Sequence, residues 1–93
     1  MKRTEFFTLT AHGAELVSGY FFDGFGYYKF GAQWRGIHGR TGLMVAQAST
    51  LRATREAVRA LRPRVNAFIA QKGKDWSAKF DQARAEYYLQ KGC

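Results

Sequence analysis

The hydrophobic pattern of the chain changes its period near residue 50. Before that point, aromatic and β-branched residues occur in short runs separated by glycine, and eight of the ten glycines lie in this part. Glycine between β-forming runs is typical of strands joined by tight turns. From Leu51 onward, apolar residues recur at the three- and four-residue spacing of a helix. The pattern predicts an α+β protein in which an antiparallel β-meander of three to five strands is followed by two α-helices packed on one face.

Three turn segments divide the predicted meander. Asp23-Gly24 fits a type I′ turn, because both positions of that turn require positive φ. His12-Gly13 closes an earlier hairpin, and residues 39–42, which contain two glycines, connect the last pair of strands. The predicted strands are residues 4–11, 14–22, 25–30, 34–38 and 43–49.

The second half of the chain is predicted to form helices over residues 50–73 and 75–91. Thr50 and Asp75 are suited to capping the two helix N-termini, and Gly73 is suited to ending the first helix. Pro63 interrupts the first helix, although the apolar spacing continues in phase beyond it. Two arrangements remain open at this stage: Pro63 kinks one helix or begins another.

Aromatic doublets place large rings on both faces of the predicted sheet, because adjacent strand residues point to opposite sides. We expect the helices to cover the more apolar face, which contains Phe7, Leu9, Leu16, Tyr20, Phe22, Phe25 and Tyr27. The other face, with Phe6, Val17, Phe21, Tyr28 and Phe30, is expected to be partly exposed. Such a face could stack bases, form a protein or homodimer interface, or pack over glycines within the sheet.

Composition indicates a single folded domain over residues 1–93. The chain is 46% hydrophobic and 16% aromatic, which excludes a disordered tail. Its one cysteine, Cys93, allows no internal disulfide, and no continuous apolar segment near the start resembles a signal peptide. We therefore expect a cytoplasmic protein in its host cell. No run of apolar residues is long enough to span a membrane, so no membrane partner is expected.

Charge is concentrated in the first predicted helix. The chain carries 15 Lys and Arg against seven Asp and Glu, a net charge of +8, and a pI near 10.1. Residues 50–74 contain seven of the basic residues and a single carboxylate, Glu56. This excess favours an acidic partner, either a nucleoprotein or an acidic protein surface, with nucleic acid itself as an alternative.

Four arginines of that helix fall within an arc of about 80°, at 100° per residue. Arginine binds phosphate and carboxylate through a rigid two-pronged fork. The predicted partner-binding residues are Arg52, Arg55, Arg59, Arg62 and Arg64. Secondary contacts are expected from Arg35, Arg40, Phe21, Tyr28 and Phe30. The alternative is that the arginines form a solvated face or lie over apolar neighbours through their methylene groups.

The sequence contains few features that are typical of an enzyme. His12 and His38 are the only histidines, and both lie in or beside predicted turns. The glycines do not form a dinucleotide- or phosphate-binding motif, and no serine lies in a nucleophile motif. No metal-ligand spacing is present. We therefore expect a non-enzymatic protein without metal or cofactor.

Two resemblances suggest classes of function. The segment from Trp34 through Ala46, followed by Thr50-Leu51 and Ala57-Val58, resembles the last hairpin and helix start of small DNA-binding domains in some phage integrases and plant transcription factors. In those domains the sheet reads the major groove. The resemblance implies that Arg35 and Arg40 contact DNA.

The second resemblance is one of general build across the chain. The size, the lack of catalytic residues and the plan of a sheet with two helices are similar to small phage and mobile-element inhibitors of the anti-CRISPR type. That resemblance implies docking on a nucleoprotein effector and blocking its access to nucleic acid. It transfers no functional residue, because these inhibitors share no motif.

Overall fold

Residues 2–91 are described by a computed structural model, and they form a five-stranded antiparallel sheet followed by one long helix. The strands lie side by side in chain order, so the predicted meander is confirmed at the upper limit of its strand number. The elements are β1 Arg3–Thr10, β2 Gly13–Phe22, β3 Phe25–Phe30, β4 Gln33–His38, β5 Met44–Ala48 and α1 Leu51–Lys91.

The β2–β3 turn forms at Asp23-Gly24, where both residues have positive φ, at 55° and 83°. The first hairpin, in contrast, turns one residue earlier than predicted. Its loop is Ala11-His12, with Thr10 paired to Gly13. The Thr10 hydroxyl accepts a hydrogen bond from the His12 amide at 3.1 Å, which fixes the loop there. Because the loop moves by one residue, the partner of each strand residue moves by two positions. Side chains alternate between the two faces of a strand, so every side chain keeps its predicted face.

The prediction of two helices is wrong. Residues 51–91 form one helix of 41 residues, in which Gly73 does not end a helix and Asp75 does not begin one. Gly73 is buried inside the helix, and a Cβ atom at this position would lie 2.7 Å from Cγ2 of Ile69. Glycine costs a helix only about 1 kcal/mol relative to alanine, so tertiary contacts can outweigh its low propensity. Pro63 also lies within α1.

The helix is bent. A straight helix of this length would measure roughly 60 Å, whereas the longest dimension of the chain is 39 Å. Sharp bends in helices are almost always found at proline or glycine, and α1 contains both Pro63 and Gly73. Because of the bend, its C-terminal half returns to the sheet. Phe80 is only 1% exposed, and the ring of Tyr87 lies 5.1 Å from that of Phe7 in β1.

The first turns of α1 lie directly on β4. Thr50 caps the helix as predicted, because its hydroxyl accepts a hydrogen bond from the Ala53 amide at 3.0 Å. Thr54 is fully buried; its hydroxyl donates a hydrogen bond to the Thr50 carbonyl at 2.8 Å and lies 3.3 Å from the carbonyl oxygen of Trp34 in β4. One turn later, Val58 packs on Gly36, where an added Cβ would lie only 2.7 Å from the valine Cγ2. The helix therefore approaches the sheet as closely as a glycine permits.

The helix covers the predicted face of the sheet, where Phe25, Tyr27 and Val58 form a buried cluster. A second cluster of Phe6, Tyr28 and Ile37 lies on the opposite face, which no helix covers. It is buried because the sheet curls. The Leu9 amide in β1 donates a hydrogen bond to the Gly42 carbonyl beyond β4, at 2.8 Å. The prediction that the second face is exposed is therefore wrong for Phe6 and Tyr28.

Crowding at Gly36 generates a stability prediction. The Gly36→Ala variant places a methyl group against Val58, and overpacking of this kind costs about 1–3 kcal/mol in the free energy of unfolding. Combining it with Val58→Ala should restore space, so the double variant is less destabilised than the sum of the single variants. Urea denaturation followed by circular dichroism measures all three. Strict additivity would contradict the close approach of α1 to β4.

Candidate anion-binding surface

Four of the five predicted arginines come together on α1, beside the β2–β3 turn. Arg52, Arg55 and Arg59 line one shallow depression, and Arg55, Arg59 and Arg62 line a second, so the two share two residues. We call these four residues the arginine surface. It lies on the side of α1 next to Val58, because the helix is held against β4 at that residue.

Two members of the arginine surface already form ion pairs. Arg52 contacts Glu56 at 3.4 Å, but both side chains are largely exposed, and such pairs contribute little to stability. Arg62 Nη2 lies 2.6 Å from a carboxylate oxygen of Asp23 and 3.1 Å from the Asp23 carbonyl oxygen. The second pair joins α1 to the β2–β3 turn, and it orients the end of the arginine surface.

Arg55 and Arg59 are the exposed residues at the centre of this surface. The Arg55 guanidinium lies 4.6 Å from the centre of the Phe22 ring, a cation–π geometry that limits its freedom. Arg59 has no ion pair within residues 2–91. Both guanidinium groups are therefore available to an anion, and one of them is already held in place.

Arg64 lies apart from the other four. It borders an apolar groove of about 290 Å³ between β5 and α1, next to Met44, Val65 and Phe68. Its position on the helix, 120° from Arg52 at 100° per residue, places it beyond the arginine surface. The structure thus separates one predicted partner-binding residue from the rest.

The predicted secondary contacts lie on other parts of the molecule. Phe30 is 56% exposed, and the Arg35 guanidinium lies 4.0 Å from its ring centre. Arg35 also donates hydrogen bonds to Gln47 at 3.0 Å and to the hydroxyl of Tyr28 at 3.3 Å. Phe21 is 43% exposed on the same face of the sheet. We call these residues, which share the face of the sheet that points away from α1, the sheet patch. Phe21 lies near the β2–β3 turn and Phe30 at the opposite end of β3.

Tyr28 and Arg40 lie apart from the other predicted contact residues. Tyr28 is only 6% exposed, so its ring belongs to the core and only its hydroxyl contacts Arg35. Arg40 lies in the β4–β5 loop beside Gly73 and Lys74 of α1, away from both patches. Neither residue can join the arginine surface in this fold.

Sequence reasoning missed Asp23, Phe22 and Tyr27 as neighbours of the arginine surface. The sequence pattern identifies Asp23 only as a turn residue and the other two only as core. Their contribution depends on contacts between residues up to 39 positions apart, which no local spacing reveals. A signal was nevertheless present, because Asp23 is the one carboxylate in the predicted turn facing a helix with unbalanced positive charge.

Tyr27 lies beneath the arginines and is 3% exposed. Burial raises the pKa of its phenol above the usual value, and the charges of Arg55, Arg62 and Arg59 oppose part of that rise. Its hydroxyl is therefore neutral at physiological pH and can donate a hydrogen bond.

Neither a metal centre nor a membrane-spanning segment is found in the part of the chain that the structure describes. Within residues 2–91, no three metal-ligating side chains are grouped closely enough to hold an ion. No helix in that range combines the length and apolar character required to cross a bilayer.

Comparison of the chain with protein-family models, with curated proteins and with solved structures found no match. The resemblances to integrase-type DNA-binding domains and to anti-CRISPR inhibitors remain predictions.

The environment of His38 predicts a pH dependence of stability. Burial lowers the pKa of the His38 imidazole, and Arg40 lowers it further. The unfolded chain therefore takes up a proton at a higher pH than the folded chain does. The free energy of unfolding should fall as the pH is lowered through the usual histidine range towards the folded-state pKa.

Urea denaturation between neutral and mildly acidic pH measures this effect. The His38→Asn variant, whose amide can still bond to the Thr41 hydroxyl 3.0 Å from the imidazole, should show a flatter profile. His12→Asn, in an exposed turn, is the matched control and should keep the wild-type profile. An unchanged slope in His38→Asn would contradict the assignment.

Proposed function

We propose that the protein is a non-enzymatic binding protein that docks its arginine surface on the phosphate groups of a nucleoprotein and blocks access to that nucleoprotein's target. The observation that carries this proposal is the grouping of Arg52, Arg55 and Arg59 on one exposed face, with Glu56 as the only carboxylate lining the same depression. A purely solvated face would be expected to mix both signs of charge more evenly.

The arrangement of the arginines suits binding to a strand of nucleic acid. From Arg52 to Arg62 the helix rises roughly 15 Å. Successive phosphates of one strand of a duplex are spaced about 3.4 Å along the axis, so several fall within that distance. Arginine binds each phosphate through two parallel hydrogen bonds, which adds orientation as well as affinity.

Part of the surface is organised before any partner binds. The ion pair between Arg62 and Asp23 fixes one end, and the contact of Arg55 with Phe22 restrains the centre. A side chain that is already ordered loses less conformational entropy on binding. The same two contacts connect the helix to the sheet, so the surface moves with the whole fold.

The blocking role rests on the resemblance to anti-CRISPR inhibitors in size and in the lack of catalytic motifs, because the two-helix part of that resemblance does not hold. Exposed arginines beside aromatic rings also suit a protein partner, because these residues are enriched where binding energy is concentrated. A nucleoprotein offers both kinds of contact, phosphate to the arginine surface and protein to its surroundings.

A second candidate function is binding to bare single-stranded nucleic acid through the sheet. The observation that favours it is the exposed ring of Phe30, held against the Arg35 guanidinium, with Phe21 exposed on the same face. Exposed aromatic rings next to arginine can stack successive bases without regard to sequence. In this alternative the arginine surface would serve as a separate backbone contact.

Charge reversal at the centre of the arginine surface tests the main proposal. The double variant Arg55→Glu, Arg59→Glu should bind single-stranded RNA and duplex DNA at least about tenfold more weakly at low salt, because two charge-assisted contacts become repulsive. Fluorescence anisotropy measures the binding, and thermal melting by circular dichroism monitors the fold.

The matched control changes the same net charge elsewhere on α1. Lys72→Glu with Lys74→Glu lies outside the arginine surface and should reduce affinity by much less than the arginine variant. Equal losses in the two double variants would show that only the total charge matters. That result would contradict a specific docking role for the arginine surface.

The sheet patch is tested by removing its rings. If the second candidate is correct, Phe21→Ala with Phe30→Ala should weaken binding to single strands by about 1–3 kcal/mol per lost stack and leave duplex binding unchanged. Met44→Ala, another exposed apolar residue of the sheet, serves as the control. Unchanged single-strand affinity in the double variant would exclude base stacking on this face.

A further inference from the structure

A small cleft opens where α1 passes the β2–β3 turn, beside the centre of the arginine surface. Its volume is about 50 Å³, and Arg55, Arg59 and Arg62 line it together with Tyr27. The Phe22 ring, stacked on Tyr27 at a centroid distance of 5.4 Å, forms part of its wall. The cleft thus combines an apolar wall with three arginines and one tyrosine.

The Tyr27 hydroxyl is the unusual group in this cleft. Tyr27 is only 3% exposed, and within residues 2–91 its hydroxyl makes no hydrogen bond to the protein. The hydroxyl oxygen itself still reaches solvent, so water can satisfy it until a ligand takes the place of that water. A neutral phenol beneath three arginines is a hydrogen-bond donor placed where an anion would bind.

The charge of the cleft matches a doubly charged ligand. Three guanidinium groups line it, and the carboxylate of Asp23, which also borders it, neutralises one of them. A net charge of about +2 remains, which complements the two negative charges that a phosphomonoester approaches at neutral pH. A backbone phosphodiester carries only one negative charge per phosphate.

The size of the cleft agrees with a single oxyanion. A water-sized atom needs roughly 10–15 Å³ of such volume, so a cleft of about 50 Å³ accommodates around four oxygen atoms. Four oxygens surround the phosphorus of a phosphate group. A base or a sugar would have to lie outside, over the exposed arginine surface.

We propose that this cleft binds a terminal phosphate group, a phosphomonoester dianion, with the Tyr27 hydroxyl and the guanidinium groups of Arg55 and Arg59 donating hydrogen bonds to it. The assignment rests on the proposed function in one respect, namely that the arginine surface contacts phosphate. The same chemistry is offered by the 5′-phosphate of a nucleic-acid strand and by a free nucleotide or inorganic phosphate.

Binding to a terminal phosphate is distinguished from binding to the backbone by comparing the affinities of two single-stranded DNA oligonucleotides. They have the same sequence, but one carries a 5′-phosphate and the other a 5′-hydroxyl. The wild-type protein should bind the phosphorylated strand about tenfold more tightly, the order expected for hydrogen bonds to a charged group. Tyr27→Phe should lose most of that preference while binding the hydroxylated strand as well as the wild type does. Tyr20→Phe is the matched control, because Tyr20 lies on the same face of the sheet and stacks on Trp34 outside the cleft.

A titration with inorganic phosphate distinguishes a free phosphate ligand from the 5′-phosphate of a strand. The backbone amide signals of Tyr27 and Arg59 are followed by nuclear magnetic resonance during the titration. Saturable shifts with phosphate in the wild type, absent in Tyr27→Phe, support the cleft whether or not DNA binds. If Tyr27→Phe does not fold, the phosphate titration of Arg59→Gln, an exposed position, followed at the Tyr27 amide alone, takes its place, and loss of the saturable shift supports the cleft.

The outcomes separate this inference from the proposed function. Equal affinity of the wild type for both strands, with no shift on addition of phosphate, would overturn the cleft proposal even if both strands bind through the arginine surface. Phosphate shifts without binding of either strand would support the cleft as a site for small phosphorylated molecules and overturn the proposed function.

Discussion

The contact of Val58 with Gly36 fixes the position of the first turns of α1 on the sheet, and with them the position of the arginine surface. Because β4 has no side chain at residue 36, the helix approaches the sheet until the Val58 methyl group meets the strand backbone. Arg55, Arg59 and Arg62 lie roughly 40–100° around the helix from Val58. They are therefore placed along the side of α1 that faces the β2–β3 turn.

This placement gives some of the arginines structural contacts and leaves others exposed. Arg62 joins the helix to Asp23, and Arg55 packs over Phe22, so both contribute to holding α1 on the sheet. Arg59, between them, has neither kind of contact within the described residues and stays exposed. A solvated face and a binding face were alternatives for the sequence. The structure shows ion-paired arginines at the two ends of the surface, Arg52 and Arg62, and, within residues 2–91, no ion pair at Arg55 or Arg59 between them.

Local patterns predicted the meander, the Asp23-Gly24 turn and the Thr50 cap, because each depends on the conformational preferences of one or two residues. They failed at Gly73, which lies buried inside one continuous helix and does not end it. They failed also at Tyr28, which is buried because the sheet curls. For the site, helical periodicity grouped four arginines correctly, but the role of Tyr27 depends on contacts across the fold that spacing cannot show.

The dependence of nucleic-acid binding on salt tests the central claim, that the arginine surface contacts phosphates. Each phosphate contact on duplex DNA contributes about −0.9 to the slope of log K against log salt. Three or four contacts by the arginine surface predict a slope near −3, measured by fluorescence anisotropy with mixed-sequence duplex DNA. A slope near zero, or no binding even at low salt, would contradict the account.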